Sequence, residues 1–127
     1  MSKYHAKKTV IDGIEFASAK EAGRYQQLKA LQAAGKISGL ELQKRYELIP
    51  PQYEVYPRYG KHGQRLKDGV KCLEKAMYYV ADFVYYDEDK RLVVEDVKGY
   101  KGGSAYQMFA VKRKLMLYML GIEIQEI

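Results

Sequence analysis

Two carboxylates interrupt apolar segments in the second half of the chain, and their positions suggest chemistry. Asp82 stands in the segment YVADFV (79–84), and Asp96 stands in VVEDVK (93–98). A charge buried alone in a sheet is costly, so such residues are usually paired or bound to a metal. Strand alternation puts Asp96 and Lys98 on one face of the strand and Glu95 on the other. Asp82, Asp96 and Lys98 are therefore candidate catalytic residues.

The two aspartates are predicted to lie on neighbouring strands. The charged turn 87–90 joins the strands predicted at 76–86 and 91–98 into a hairpin, so Asp82 and Asp96 can approach each other. Adjacent carboxylates repel unless a cation lies between them, and oxygen ligands suit Mg²⁺ or Mn²⁺. Lys98 could orient a water or stabilise charge on a phosphate. The alternative is that Asp82 ends its strand in water, with Asp96 and Lys98 as a solvated ion pair.

Other site chemistries find little support in the sequence. The two histidines and the single cysteine (His5, His62 and Cys72) are too few for a structural zinc site, which usually takes four ligands. The chain has no phosphate-binding loop ending in Gly-Lys-Ser/Thr, which argues against an NTPase of that type.

The helices and strands that must position the aspartates can be predicted from hydrophobic periodicity and from turn and capping residues. A hairpin is predicted over 8–16 around Asp12-Gly13, and a first helix over 18–34. Ser18 suits its N-cap, and Glu21 occupies the capping-box position. The rest comprises strand pieces at 40–42, 46–49 and 52–56, an exposed loop or arm at 58–75, strands at 76–86 and 91–98, a second helix at 105–120 and a last strand at 122–127. This order predicts one α/β domain over 1–127, with a mixed central sheet flanked by helices.

Charge and composition narrow the partners. The 127 residues carry a net charge of +6, and 15 basic against 8 acidic side chains fall in residues 1–80. A basic surface of this kind attracts phosphate polymers. The longest apolar run, 115–122, is far shorter than the roughly 20 residues of a membrane span. With no signal peptide visible and one cysteine, we expect a cytoplasmic protein without a membrane partner.

The order of these motifs resembles the PD-(D/E)xK nuclease superfamily. The resemblance extends over nearly the whole chain, and it is closest to a small phage and prophage group of presumed endonucleases related to Holliday junction resolvases. It is carried by the segments KYHAKKT (3–9), GIEFAS (13–18), KEA (20–22), LELQ (40–43), YVADF (79–83) and VEDVKG (94–99). It implies a restriction-endonuclease-like core in the order αβββαβ behind an N-terminal β-hairpin, encoded by a phage or prophage in a bacterial cell.

The resemblance also implies roles for particular residues. Asp82 matches the aspartate of the name motif, Asp96 and Lys98 match its acidic residue and lysine, and Glu21 matches the glutamate that the first helix offers to the metal. Ala81 stands where the family has proline, which changes neither charge nor ligand. The implied activity is Mg²⁺-dependent cleavage of DNA, with Mn²⁺ able to substitute. Asp82, Asp96, the Val97 carbonyl and Glu21 would hold the metal, and branched DNA is the expected substrate.

Basic side chains outside this motif are predicted to hold the DNA backbone. They are Arg58, Lys61, Arg65 and Lys67 in the segment 58–75, and Lys112, Arg113 and Lys114 in the second helix. The alternative to an enzyme is a non-catalytic nucleic-acid-binding module with the same fold. The methionines and leucines of the second helix exceed one buried face, so a homodimer contact is an alternative to core packing.

Overall fold

The computed structural model describes residues 8–127, so His5 lies outside the described part of the chain. Its elements are β1 (Thr9–Ile11), β2 (Ile14–Phe16), α1 (Ala19–Ala33), β3 (Ser38–Ile49), β4 (Gln52–Tyr59), β5 (Arg65–Glu74), β6 (Met77–Tyr86), β7 (Leu92–Asp96), α2 (Ser104–Leu120) and β8 (Ile124–Glu126). None of the helices in this described part has the length and apolar character needed to span a membrane.

A four-stranded sheet forms the centre of the fold, in the order β3-β6-β7-β8. β6 is antiparallel to both β3 and β7, while β8 runs parallel to β7. The sheet is therefore mixed, and the predicted mixed α/β class is confirmed. α2 makes the crossover between β7 and β8, as a parallel pair requires.

The two helices cover opposite faces of this sheet. The α1 face buries Phe16, Ala22, Tyr25, Leu28, Ile37, Phe83 and Tyr85. The α2 face buries Leu48, Tyr79, Ala81, Val84, Val94, Phe109, Met116 and Ile124. Side chains of β6 and β7 thus supply both clusters, which explains why these strands have nearly continuous apolar sequences.

The predicted hairpin turn and the predicted ends of the first helix are confirmed. Asp12 and Gly13 both have positive φ, as a two-residue turn between β1 and β2 requires. The Ser18 side chain accepts a hydrogen bond from the Glu21 N–H at 3.1 Å and caps α1. The helix ends just before Gly35, whose φ is +75°.

β3 changes the face to which its side chains point at Gln43. Leu40 and Leu42 pack in the α1 cluster. Tyr46 and Leu48, four and six residues after Leu42, pack in the α2 cluster instead. Regular alternation would keep even-numbered residues on one face, so the strand must change phase between them. Gln43 lies at this point with φ +53°, an uncommon conformation for a residue other than glycine.

Two sequence predictions about the strands were wrong in detail. The pieces expected at 40–42 and 46–49 are one continuous strand, β3, because the pairing with β6 keeps the same register on both sides of the phase change, with Leu42 opposite Phe83 and Lys44 opposite Ala81. The segment 58–75, expected as a loop or arm, is mostly strand: with β4, β5 forms a separate two-stranded ribbon. The exposure predicted for its basic side chains is confirmed.

Candidate functional site

Four of the predicted site residues converge at one edge of the fold. Glu21 lies in the first turn of α1, Asp82 in β6, and Asp96 at the end of β7. Phe83 pairs with Glu95, so Asp82 comes next to Asp96 at the end of the same ladder. Lys98 follows two residues later, and its Nζ lies 2.8 Å from Asp96 Oδ1.

Asp82 is held by the main chain and by one amide side chain. Its Oδ2 accepts a hydrogen bond from the Val97 N–H at 2.8 Å, and its Oδ1 accepts one from Gln43 Nε2 at 3.4 Å. The same Gln43 Nε2 donates to Glu21 Oε1 at 3.3 Å. Gln43 therefore bridges the carboxylates of α1 and β6, a role that the sequence analysis missed. The Glu21 side chain points toward this bridge, so its carboxylate lies beside the other acids.

Asp96 and Lys98 form an enclosed ion pair and not a solvated one. Their side chains are only 10% and 16% exposed. Tyr79 donates to the second oxygen of Asp96 at 2.7 Å, and the Phe109 ring lies under the Lys98 ammonium, 3.4 Å from the ring centroid. The aromatic contacts come from β6 and α2, so a strand and a helix together fix this pair. The alternative of a water-exposed ion pair does not describe it.

The charges of the three acids act on one another. Burial raises the pKa of Glu21 to about 7, with further contributions from the charges of Asp82 and Asp96. Burial also raises the pKa of Asp82, and the Asp96 charge adds to it, against the Val97 N–H bond that lowers it. Carboxyl groups with raised pKa values in a cleft mark a functional-site candidate. A cation bound between the acids would remove their repulsion and favour the ionised forms.

The acids separate two cavities. The first has a volume of about 310 Å³ and is lined by Glu21, Gln43 and Asp82 together with β2 side chains. The second has a volume of about 260 Å³ and is lined by Asp96, Lys98, Lys112 and aromatic residues of β6 and α2. An extended ligand can therefore reach the carboxylates from both sides.

The donor types suit a hard cation, although the side chains are arranged for hydrogen bonding with one another. Three carboxylates offer the oxygen ligands that Mg²⁺ prefers. Within residues 8–127, however, no three His, Cys, Asp or Glu side chains are grouped closely enough to hold a metal ion. The positive charge at Asp96 is that of Lys98. Val97, expected to offer its carbonyl, contacts Asp82 through its N–H.

The segment after β7 is fixed by the last residue of the chain and by α1. The Ile127 N–H donates to the Asp96 carbonyl at 2.9 Å, and the Lys98 N–H donates to the Ile127 carbonyl at 3.0 Å. Lys20 Nζ donates to the Lys98 carbonyl at 2.6 Å. These bonds hold residues 96–98 in place against both the end of the chain and the start of α1.

A second acidic network lies on the opposite face of β7, as strand alternation predicts. Glu95 is 1% exposed, and Arg24 of α1 contacts both of its oxygens, from Nε at 2.8 Å and from Nη2 at 2.6 Å. Tyr85 donates to the same carboxylate. This bidentate pair connects α1 to the residue next to Asp96, and so sets where Glu21 lies relative to the other acids.

Replacing Arg24 by Ala is expected to destabilise the protein by about 3–5 kcal/mol, because it leaves the buried Glu95 charge without a partner. Urea unfolding measures the change. The double variant Arg24→Ala, Glu95→Gln removes the charge as well and should recover part of the loss. A loss below about 1 kcal/mol for Arg24→Ala, the scale of an exposed pair, would show that this pair does not secure α1.

The predicted DNA-binding residues fall into separate places. Arg58 is in β4, Arg65 and Lys67 are in β5, and Lys61 is in the turn between these strands; nearly all of this set is well exposed. In α2, Lys112 lines the cavity beside Asp96. Lys114 and Arg113 line a different cavity with Glu123 and Glu126, and Arg113 Nη1 lies 3.2 Å from Glu126 Oε2. Lys112 is thus the helix candidate next to the acids.

These features define a mixed α/β protein with a cluster of coupled carboxylates and an enclosed lysine at one edge of its sheet. The chain belongs to the family described as Protein of unknown function (DUF1064), whose profile matches residues 1–120. The comparisons with curated proteins and with solved structures found no match for the chain.

Proposed function

We propose that this protein is a Mg²⁺-dependent endonuclease that hydrolyses phosphodiester bonds in DNA. The observation that carries the proposal is the convergence of Glu21, Asp82 and Asp96 beside the enclosed Lys98, with the carboxyl pKa values of Glu21 and Asp82 raised. A protein that only binds phosphate gains nothing from carboxylates at the binding surface, because they repel it.

Each residue has a chemical task in this proposal. Glu21, Asp82 and Asp96 would hold the divalent cation, with the Val97 carbonyl as a further oxygen ligand, and this requires their carboxylates to come closer together than they lie in the structure. The cation supplies Lewis-acid activation of the phosphate and of a water. Lys98 keeps its ammonium beside the reacting phosphate, where it orients the attacking water and stabilises the developing negative charge. Phe109 and Tyr79 hold Lys98 and Asp96 in place.

The finer fold assignment belongs to the same proposal. Without the hairpin β1–β2 and the ribbon β4–β5, the chain runs α1, β3, β6, β7, α2, β8, an αβββαβ order. This order supports a restriction-endonuclease-like core of the PD-(D/E)xK superfamily. Branched DNA from phage recombination is the proposed substrate, and a homodimer would present two sites for symmetric incision.

A non-catalytic nucleic-acid-binding module is the second candidate. It is favoured by the Lys98–Asp96 ion pair, which neutralises one of the carboxylates without a metal. The two functions predict different responses to divalent cations, because a binder of this kind depends on its basic residues alone.

A cleavage panel distinguishes them. Branched, nicked and linear DNA are incubated with the protein in Mg²⁺, Mn²⁺, Ca²⁺ or EDTA, and the products are separated at nucleotide resolution. The endonuclease is expected to cut in Mg²⁺ and Mn²⁺, with branched DNA cut preferentially. Tight binding that no cation changes, with no cut in any substrate, would favour the binding module.

Neutralising Lys61, Arg65 and Lys67 together is expected to weaken DNA binding and to flatten its salt dependence. Each lost phosphate contact reduces the slope of log K against log salt by roughly 0.9 on duplex DNA. Arg65 already pairs with Asp68, so it should contribute least of the three.

Binding isotherms at several salt concentrations give this slope. A control variant neutralises Lys36 and Lys90, two lysines that line a cavity at the opposite end of β6 from the ribbon. Equal slopes for the ribbon variant and the wild type would show that these cations do not contact phosphate.

A further inference from the structure

The ribbon β4–β5 extends the central ladder beyond the helices. β3 pairs with β6 as far as Ile49 and Met77, and β4 pairs with β5 from Gln52 and Glu74 onward. The chain therefore runs outward along β3 and β4 and returns along β5 and β6. The eight residues of β4 give the ribbon a length of about 26 Å. In the described part of the chain, β4 and β5 form a sheet of two strands only.

One face of the ribbon carries a tyrosine near each end and is uncharged in the half that adjoins the central sheet. Tyr53 lies opposite Cys72, and Val55 lies opposite Val70, so their side chains share a face. Tyr59 follows on the same face by alternation along β4, beyond a register shift between Tyr56 and Arg58, and its partner across the ladder is Arg65. We call this set (Tyr53, Val55, Tyr59, Val70, Cys72) the tyrosine face. Its two tyrosines are 59% and 63% exposed, which is unusual for large side chains of a strand pair that needs a covering layer for stability.

The positive charge around the tyrosine face favours a polyanion as the partner that covers it. Residues 52–75 carry six lysines and arginines against three acidic residues. The Arg65 guanidinium lies 5.7 Å from the centre of the Tyr59 ring, at the tip of the ribbon. A second copy of this basic ribbon would bring like charges together, whereas a polyanion complements them. Among polyanions, only an unpaired strand presents base faces to an aromatic surface, because duplex bases are stacked inside the helix.

We propose that the tyrosine face binds a single strand of nucleic acid by stacking its bases on Tyr53 and Tyr59. This inference rests on the proposed nuclease function and defines its substrate more closely, as DNA that carries an unpaired segment. The two rings are six residues apart on one strand, about 20 Å, so they contact separate bases along one extended strand.

The test compares the binding of a 12-nucleotide oligothymidylate with that of a duplex of the same length, in EDTA, by fluorescence anisotropy. The variant is Tyr53→Ala, Tyr59→Ala, and the matched control is Tyr118→Ala, an 87% exposed tyrosine on α2. The variant is expected to lose about tenfold or more in affinity for the single strand. Its affinity for duplex and its salt slope should be unchanged, since no charge is removed. The control should bind both as the wild type does.

A second variant separates stacking from folding of the ribbon. Tyr53→Leu, Tyr59→Leu keeps apolar bulk and removes the ring faces, so it should lose single-strand affinity as the alanine variant does. Undiminished single-strand binding in the leucine variant, or an equal loss for duplex, would overturn the proposal. So would a wild-type dimer, seen by sedimentation, that the substitutions dissociate, because a second copy would then cover the face.

The outcomes also separate this inference from the nuclease proposal. Mg²⁺-dependent cleavage by the wild type, with single-strand binding indifferent to the tyrosines, would overturn the inference alone. Tyrosine-dependent binding of the single strand, with no cleavage of any DNA in Mg²⁺ or Mn²⁺, would overturn the nuclease and leave a single-strand-binding ribbon.

Discussion

Asp82→Asn and Asp96→Asn are each expected to lower the rate of DNA cleavage by at least roughly a hundredfold, the scale of losing one preorganised electrostatic group. Each substitution removes a negative charge that attracts the cation. The same change lessens repulsion of the phosphate backbone, so DNA binding should be equal or tighter. Single-turnover cleavage in Mg²⁺ and binding in EDTA measure the two effects separately.

Asp82→Asn is the cleaner of the two variants. An asparagine oxygen can still accept the Val97 N–H bond, so the loss is confined to the 3.4 Å bond from Gln43, whose Nε2 keeps its bond to Glu21. In Asp96→Asn, the new side chain would have to satisfy both Tyr79 and the Lys98 ammonium with one oxygen, which adds a cost in stability. Cleavage near the wild-type rate by a folded Asp82→Asn variant would show that the proposed metal site is wrong.

Glu21→Gln is expected to reduce the cleavage rate by a similar factor without lowering the melting temperature. The Ser18 cap is made to the Glu21 N–H and not to its side chain, so it survives the substitution. The carboxylate instead lies beside Gln43 and Asp82, where its charge matters for a cation and Gln is a poor substitute. Higher Mn²⁺ should restore part of the rate.

The pH dependence gives an independent signature of Glu21. Its pKa in the folded protein is about 7, above the ordinary value of 4.5. Because the folded state holds this proton more tightly, Glu21 costs stability as the pH rises from about 4.5 to 7. Cleavage at low Mg²⁺ should rise with pH around 7, where the carboxylate of the folded protein ionises. Glu21→Gln should lack both changes, and a fully active variant would remove Glu21 from the site.

The helices and the paired aspartates could be predicted because local signals agreed with the fold. Ser18 and Gly35 mark the ends of α1, and the turn after β6 makes Asp82 and Asp96 neighbours. Alternation alone separated Asp96 from Glu95, and the structure confirms that they face opposite sides, toward Tyr79 and Arg24.

The contacts between distant elements could not be predicted in the same way. Arg24 and Glu95 are 71 residues apart, and no local pattern pairs them. Gln43 lies within the segment that carries the family resemblance, which is the one signal that could have indicated it. Its bridging role depends on the phase change in β3, and apolar residues at even positions on both sides conceal that change.

The ribbon was mistaken for a loop because its composition resembles one. Glycines and charges dominate residues 58–75, and strand propensity is weak there. Cross-strand pairing overrides this composition: the Tyr56 ring lies directly over Gly69, where a larger residue would have to displace the ring. The composition of one segment does not reveal such a pairing, because the pairing depends on the positions of both strands.

The central claim, that these acids make a metal-dependent nuclease, is tested most directly by DNA cleavage with two proteins purified in parallel. Wild type and the double variant Asp82→Asn, Asp96→Asn are incubated with a branched DNA either with a divalent cation (Mg²⁺ or Mn²⁺) or in EDTA, and the strands are analysed at nucleotide resolution. The account predicts internal cuts by the wild type in Mg²⁺, none in EDTA, and none by the double variant under either condition. Equal cutting by both proteins, or no cutting by the wild type in Mg²⁺ or Mn²⁺, would contradict it.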